Sequence, residues 1–297
     1  MIEFPVSGVE TYWWLPILFA FVVSCLTSTA GISGAFLLLP FQVSILGFTS
    51  PGVTPTNLLY NTVAIPSGIY RNYREKRMVW PLVKVISTGT IPGLVLGVFI
   101  RVRYLPDPVA FKFFVGLVLV YIAIRLLMNT LKKQESAVNS FEAFEVSSAS
   151  LTFRKISFVF NGQQFSLSTP VLFTLSIIVG AIGGIYGIGG GAILAPILVI
   201  MFRLPIYTIS GATLFGTFLS STVGVLFYIV LAPLFAADKI SAQPDWMLGL
   251  MFGIGGSLGI YLGTRIQKYI PARLIKILLL LIMLYVAIRY IIGFFAQ

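Results

Sequence analysis

The sequence predicts an all-α polytopic membrane protein of two inverted repeats, each a glycine-broken helical hairpin plus three full transmembrane helices, about five helices per half. Three observations predict it. The composition suits a lipid solvent: 58% of the 297 residues are hydrophobic and 10% are charged, with a mean hydropathy of +0.98. Apolar stretches near the ~20 residues a helix needs to cross a bilayer recur along the chain. One half of the sequence also aligns on the other.

The apolar stretches run over 12–48, 53–70, 80–100, 108–130, 169–202, 207–232, 245–264 and 271–294. Two of them, 12–48 and 169–202, are too long for one crossing, and each has glycines in its middle. No Lys or Arg precedes Arg71, and Glu3 and Glu10 stand where a signal peptide carries its basic residues, so the first segment is expected to be retained. Trp13, Trp14, Trp80 and Trp246 lie near segment ends and read as interfacial anchors. Cys25 is the sole cysteine, which leaves no internal disulfide and no CxxC motif; packing is its expected role, ahead of ligand contact.

GISGAFLLLPFQV from Gly31 aligns without gaps on GIGGGAILAPILV from Gly187, matching Gly, Ile, Gly, Leu, Pro and Val at constant offset. The same offset lays TNLLYN (56–61) on ATLFGT (212–217), so Asn57 meets Thr213 and Asn61 meets Thr217. Later, after a small insertion, YIAIR (121–125) answers YVAIR (285–289). The halves span about 1–131 and 169–297. Between them lies a polar linker, 132–168, whose alternating part from Leu151 to Phe165, with a turn at Asn161-Gly162, predicts a small β-hairpin.

Charge placement sets the orientation. Three crossings plus a hairpin that enters and leaves on one side is an odd count, so the halves invert. Fifteen of the twenty Lys and Arg residues then face the cytoplasm, including RNYREKR at 71–77 and the linker. Arg101, Arg103, Lys112, Lys239, Arg289 and both termini lie outside, as the positive-inside rule favours for a cell (inner) membrane protein. Parallel halves would instead put the basic 71–77 and the nearly uncharged 233–244 on one face. Basic cytoplasmic loops account for the net charge of +11 without nucleic acid as a partner.

Every Asp and Glu lies at a terminus, in a loop or at a segment edge, and there is no histidine. Carboxylate or imidazole proton relays at membrane depth, zinc chemistry and a Ser-His-Asp triad are therefore not expected. No enzyme activity and no cofactor is expected; an intramembrane enzyme acting on lipid phosphate is weighed and set aside for the same reason. A backbone can leave the helix at membrane depth only where protein or trapped water satisfies it, so broken helices line cavities. Ser33, Gly34 and Ala35, and Gly189, Gly190 and Gly191, are predicted to begin two half-helices whose N–H groups face an anion near the midplane. Close helix packing is the competing account of the glycines. Asn57 with Asn61, and Thr213 with Thr217, are spaced i to i+4 and share a helix face, where they either donate to an oxyanion or join helices. Thr27, Ser28, Thr29, Thr54, Thr56 and Ser210 are lesser candidates. Arg71 reads as a topology anchor first and a gate for anions second. Gly93 to Gly97 and Gly259 to Gly263 are GxxxG pairs that serve either a homodimer or internal packing.

A GxGGG cluster followed by an apolar stretch with Pro, then a Thr-bearing third helix, repeated in two halves, resembles the TauE/SafE family of sulfite and organosulfonate transporters. GIGGGAILAP in the second half carries the resemblance best, whereas Ser33 and Ala35 replace glycines in the first. The resemblance implies secondary transport of a small anion of the sulfite, sulfonate or thiosulfate class, usually export. Alternating access is the expected mechanism, with an anion channel or a non-transporting structural subunit as alternatives. Proton coupling would have to use the substrate's own protonation, a Tyr or a Lys, or be absent.

Overall fold

The computed structural model describes residues 1–29, 33–131, 146–160, 162–235, 242–266 and 272–296. Gly31 and Ile32 of the first repeat motif, the linker's 132–145 and Asn161 lie outside them. The first half holds α1 (Trp14–Thr29), α2 (Ala35–Ser44), α3 (Val53–Ala64), α4 (Pro66–Arg74), α5 (Trp80–Arg103) and α6 (Pro108–Leu131). The second holds α7 (Thr169–Tyr186), α8 (Gly191–Met201), α9 (Ile206–Phe235), α10 (Trp246–Ile266) and α11 (Ala272–Phe295). Helices α5, α6, α7, α9, α10 and α11 are long and apolar enough to cross a membrane, and α1 and α2 are shorter apolar helices.

Both overlong stretches are broken as expected. The first parts into α1 and α2, of 16 and 10 residues, and the second into α7 and α8, of 18 and 11. Helix α7 ends at Gly187, whose φ of 84° and a 2.8 Å bond from its N–H to Gly183 O make it a left-handed cap that a side chain would strain. The 53–70 stretch departs from expectation. It divides at Ile65, because Pro66 opens α4 at its first turn, while its counterpart α9 runs 30 residues unbroken.

Helices that the repeat equates run in opposite directions. Along the α3–α4 segment against α9, Leu58 packs at Gly224, Gly68 at Leu214, and Ser210 Oγ donates to Asn72 Oδ1 at 2.9 Å, so one numbering rises as the other falls. In α6 against α11, the Phe113 and Phe294 rings stack at 4.4 Å while Gly116 meets Tyr290 and Ile291. Antiparallel counterparts are what an inverted repeat requires and a parallel repeat forbids.

The two most extensive packings also cross between halves: α1 lies along α10, and α5 along α7. Both are glycine seams. Gly93 and Gly97 abut the backbone of Ile177 and Ala181, and Gly259 and Gly263 abut that of Phe21 and Cys25, so closely that a Cβ at any of the four would collide. The GxxxG faces are thus spent inside the chain and are not left for a second copy.

Short strands flank the bundle. A hairpin of β1 (Ile2–Phe4) and β2 (Val9–Thr11), which the alternation-based reading missed, is tied down by Asp245. That carboxylate accepts from Ser7 N (3.1 Å) and Ser7 Oγ (2.8 Å) and caps α10 through Leu248 N (3.0 Å). In the linker, β4 (Lys155–Phe160) pairs with β5 (Gln163–Ser168) about the predicted turn, where Gly162 has φ 73°. A third strand, β3 (Val146–Leu151), extends the predicted hairpin into a sheet. Val146 N reaches Lys76 O at 3.4 Å, which sets this sheet beside the basic α4–α5 turn.

Candidate functional site

The proline shared by both repeat motifs explains how the two breaks are joined. Pro40 has no N–H, so the carbonyl of Phe36, four residues earlier in α2, loses its helical donor. The Tyr186 hydroxyl, at the end of α7, donates to that carbonyl at 2.7 Å. A backbone group freed in one half is thus satisfied by a side chain at the break of the other.

Asn57 on α3 makes the second link. Its Nδ2 donates to Ala35 O at the start of α2 and to Gly187 O at the end of α7, both at 3.0 Å, and its Oδ1 accepts from Gln42 Nε2 at 3.2 Å. Asn57 is fully buried, and both its donors are spent on backbone. A third contact, Thr54 Oγ1 to Ile185 O at 3.2 Å, ties α3 to the same α7 end. The two glycine breaks, 156 residues apart in the repeat, therefore meet on one helix.

At the start of α2, Gly34 is the N-cap and Ser33 precedes it. Ser33 Oγ donates to Asn61 Oδ1 at 3.0 Å and accepts weakly from Ala35 N at 3.4 Å. Gly34 leaves no room for a Cβ, which would lie 2.8 Å from the Tyr60 hydroxyl, itself bonded to Ser24 Oγ at 2.7 Å. Asn61 is fully buried, and its Nδ2 has no partner among the described residues. An unpaired amide donor thus stands next to the start of a half-helix, where first-turn N–H groups and the positive end of the dipole already favour an anion.

The start of α8 has the same parts from other residues. Gly189, with φ 69°, and Gly190, the N-cap, have no side-chain cap. A Cβ at Gly189 would lie 3.0 Å from Ser221 Oγ, and Ser221 is fully buried with no partner for its hydroxyl among the described residues. Gly190 lies against Thr90 of α5, and Gly191 against Thr213 O and Thr217 Oγ1 of α9. Thr213 and Thr217 donate along their own helix, to Ile209 O at 3.0 Å and Thr213 O at 2.9 Å. The break is thus packed and polar at once.

Arg71 is not brought to the breaks. It lies in the last turn of α4, exposed, with its Nε 2.9 Å from Glu75 Oε1. Arg101, expected in an outer loop, is instead fully buried near the end of α5. Its Nε donates to Thr54 Oγ1 at 3.2 Å, its Nη1 to Leu105 O, and its guanidinium covers the Phe111 ring at 3.7 Å. Among the described residues Nη2 has no hydrogen-bond partner and no carboxylate forms an ion pair with the group. Thr54 lies two turns of α3, about 10 Å, before Asn61, so a buried positive charge stands near the breaks.

Ser221, Arg101, Tyr60 and Tyr186 escaped sequence reasoning. Ser221 lies one turn beyond Thr217 on the same face, and extending that i to i+4 series would have found it. Arg101 carried no such signal, because an arginine at a segment end ordinarily reads as an anchor.

The family model for the sulfite exporter TauE/SafE matches residues 16–290, both halves and the linker between them. The chain is similar to the "Probable membrane transporter protein YjnA" of Bacillus subtilis (strain 168), 22% identical over 281 residues that cover 93% of this chain and 98% of that one. It is also similar to the "Probable membrane transporter protein YunE" of the same organism, 23% identical over 244 residues, 80% of this chain and 76% of that one. No solved structure matches it. With a matched region that takes in both glycine breaks and all of the crossing helices but the last turn of α11, the chain belongs to the TauE/SafE sulfite exporter family of multi-pass membrane transporters.

Proposed function

We propose that this protein is a secondary transporter that moves a small sulfur oxyanion, sulfite or a related sulfonate, out of the cell by alternating access, one repeat rocking against the other. The observation that carries this reading is the pair of orphaned donors. Asn61 Nδ2 and Ser221 Oγ are each buried, unpartnered among the described residues, and set beside the start of one half-helix. A buried donor without an acceptor costs about 1–3 kcal/mol, and an oxyanion supplies acceptors for both. Ser33, Gly34 and Ala35 with Asn61, and Gly189, Gly190 and Gly191 with Ser221, are the anion-contacting sets. Asn57, Thr213 and Thr217 hold the breaks in place, and Arg101 raises the positive potential around them. The repeats occupy 1–131 and 169–297, with the linker cytoplasmic, both termini outside and no catalytic role.

The test is counterflow in proteoliposomes. Vesicles preloaded with sulfite should take up labelled sulfite with saturating kinetics, compete with thiosulfate or sulfoacetate, and ignore potassium. Asn61→Leu should abolish uptake while leaving the melting temperature in place. Large unitary currents without counterflow would replace the carrier with a channel, and unchanged uptake in both Asn61→Leu and Ser221→Ala would overturn the site.

A further inference from the structure

A cavity of about 860 Å³ opens between α1, α2, α6 and α11, and its chemistry is graded from end to end. Leu26, Leu37 and Leu279 line one end. The other end has Lys112 from the first turns of α6, Arg289 from α11, and the paired hydroxyls of Ser44 and Tyr290, 2.7 Å apart. The stacking of Phe113 on Phe294 and the contact of Gly116 with Tyr290 show that the start of α6 meets the end of α11, so both cations belong to one rim. Leu279 is ten residues before Arg289, about 15 Å down the helix. Neither Lys112 nor Arg289 is in an ion pair among the described residues.

We infer that this groove binds one anionic phospholipid, an acyl chain along the apolar wall and the headgroup phosphate between Lys112 and Arg289. The groove lies beside α6 and α11, which are long and apolar enough to cross a membrane, and a groove open to hydrocarbon is filled by the solvent it faces. Two cations and two hydroxyls at the rim fit a phosphate and select against a net neutral headgroup. The inner wall includes Leu37, Pro40 and Phe41 of α2. The lipid therefore lies along the half-helix that begins at Gly34, and it supports the break from behind.

The probes are dioleoylphosphatidylglycerol and dioleoylphosphatidylcholine, presented as an equimolar mixture to delipidated protein and read by native mass spectrometry and by thermal unfolding. Each cation is worth roughly fivefold in affinity, so phosphatidylglycerol should be retained about twenty-five-fold over phosphatidylcholine. Lys112→Gln with Arg289→Gln should erase the preference while either lipid still binds. Ile282→Trp, which fills the groove, should remove the bound lipid altogether. Equal retention of the two lipids by the unaltered protein, or a preference that survives the double substitution, would overturn the inference. So would displacement of lipid by a long-chain alkyl sulfonate that is then transported, since the groove would be a substrate entrance instead. The mass measurement on unaltered protein stands even if Ile282→Trp fails to fold.

Discussion

Asn57 and Thr213 occupy equivalent repeat positions, yet their substitution by alanine should have very different effects. Asn57→Ala removes three hydrogen bonds at once: two donated, to Ala35 O and Gly187 O, and one accepted from Gln42. Ala35 O keeps an acceptor role inside α2, but Gly187 lies past the end of α7, and Gln42 Oε1 already has no partner among the described residues. Side-chain bonds within membranes average about 0.6 kcal/mol and reach about 1.7 kcal/mol, so three sum to about 2–5 kcal/mol before any cavity is counted. Thr213→Ala removes only a hydroxyl that donates to Ile209 O and Ser210 O on its own helix, a loss of about 1 kcal/mol or less. Reversible unfolding in mixed micelles, titrated with a denaturing detergent, measures both. A cycle with Gln42→Ala should return a coupling near 1 kcal/mol for the Gln42–Asn57 bond. If Asn57→Ala costs no more than Thr213→Ala, the idea that Asn57 clamps the two breaks together is wrong.

Ser221→Ala should leave stability within about 0.5 kcal/mol or raise it, because it deletes an unpaired buried hydroxyl; the rise in melting temperature produced by sulfite should shrink in the same protein. Gly191→Ala pushes a methyl into Thr213 O and Thr217 Oγ1, and overpacking of this kind costs about 1–3 kcal/mol, to be read as a lower detergent midpoint. Arg101→Met should be neutral or stabilising in the same titration, since it exchanges a buried, incompletely paired cation for an apolar chain, while sulfite uptake falls; a protein both destabilised and fully active would contradict the role assigned to that charge. For orientation, a cysteine at Ser166 in a Cys25→Ala background should react with an impermeant maleimide in inside-out vesicles and not in intact cells. One at Tyr12 should do the reverse, and matching accessibility would refute the topology.

Much of this architecture is legible in the chain before any coordinates. Span positions follow from hydropathy, because backbone groups in lipid must be satisfied within the segment, and a local rule can be read locally. The helix breaks follow from glycines at Gly187 and Gly189 in a stretch too long for one crossing. Inversion follows from an odd crossing count and from where the basic residues fall, and the alignment of Gly31 on Gly187 makes the two breaks counterparts. What the chain does not disclose is which donors are already taken. Asn57 and Asn61 are the same residue type on the same helical face, but Asn57 meets Gly187, 130 residues away, while Asn61 Nδ2 meets nothing among the described residues. Phe36 O is freed by Pro40 nearby and satisfied by Tyr186 from the other half. Arg101 reads as a loop anchor until α3 and α6 close over it. Hydrophobic transfer and backbone satisfaction act along the chain and leave a periodic trace in it, whereas a polar side chain is spent or available according to what tertiary packing places within about 3 Å of it.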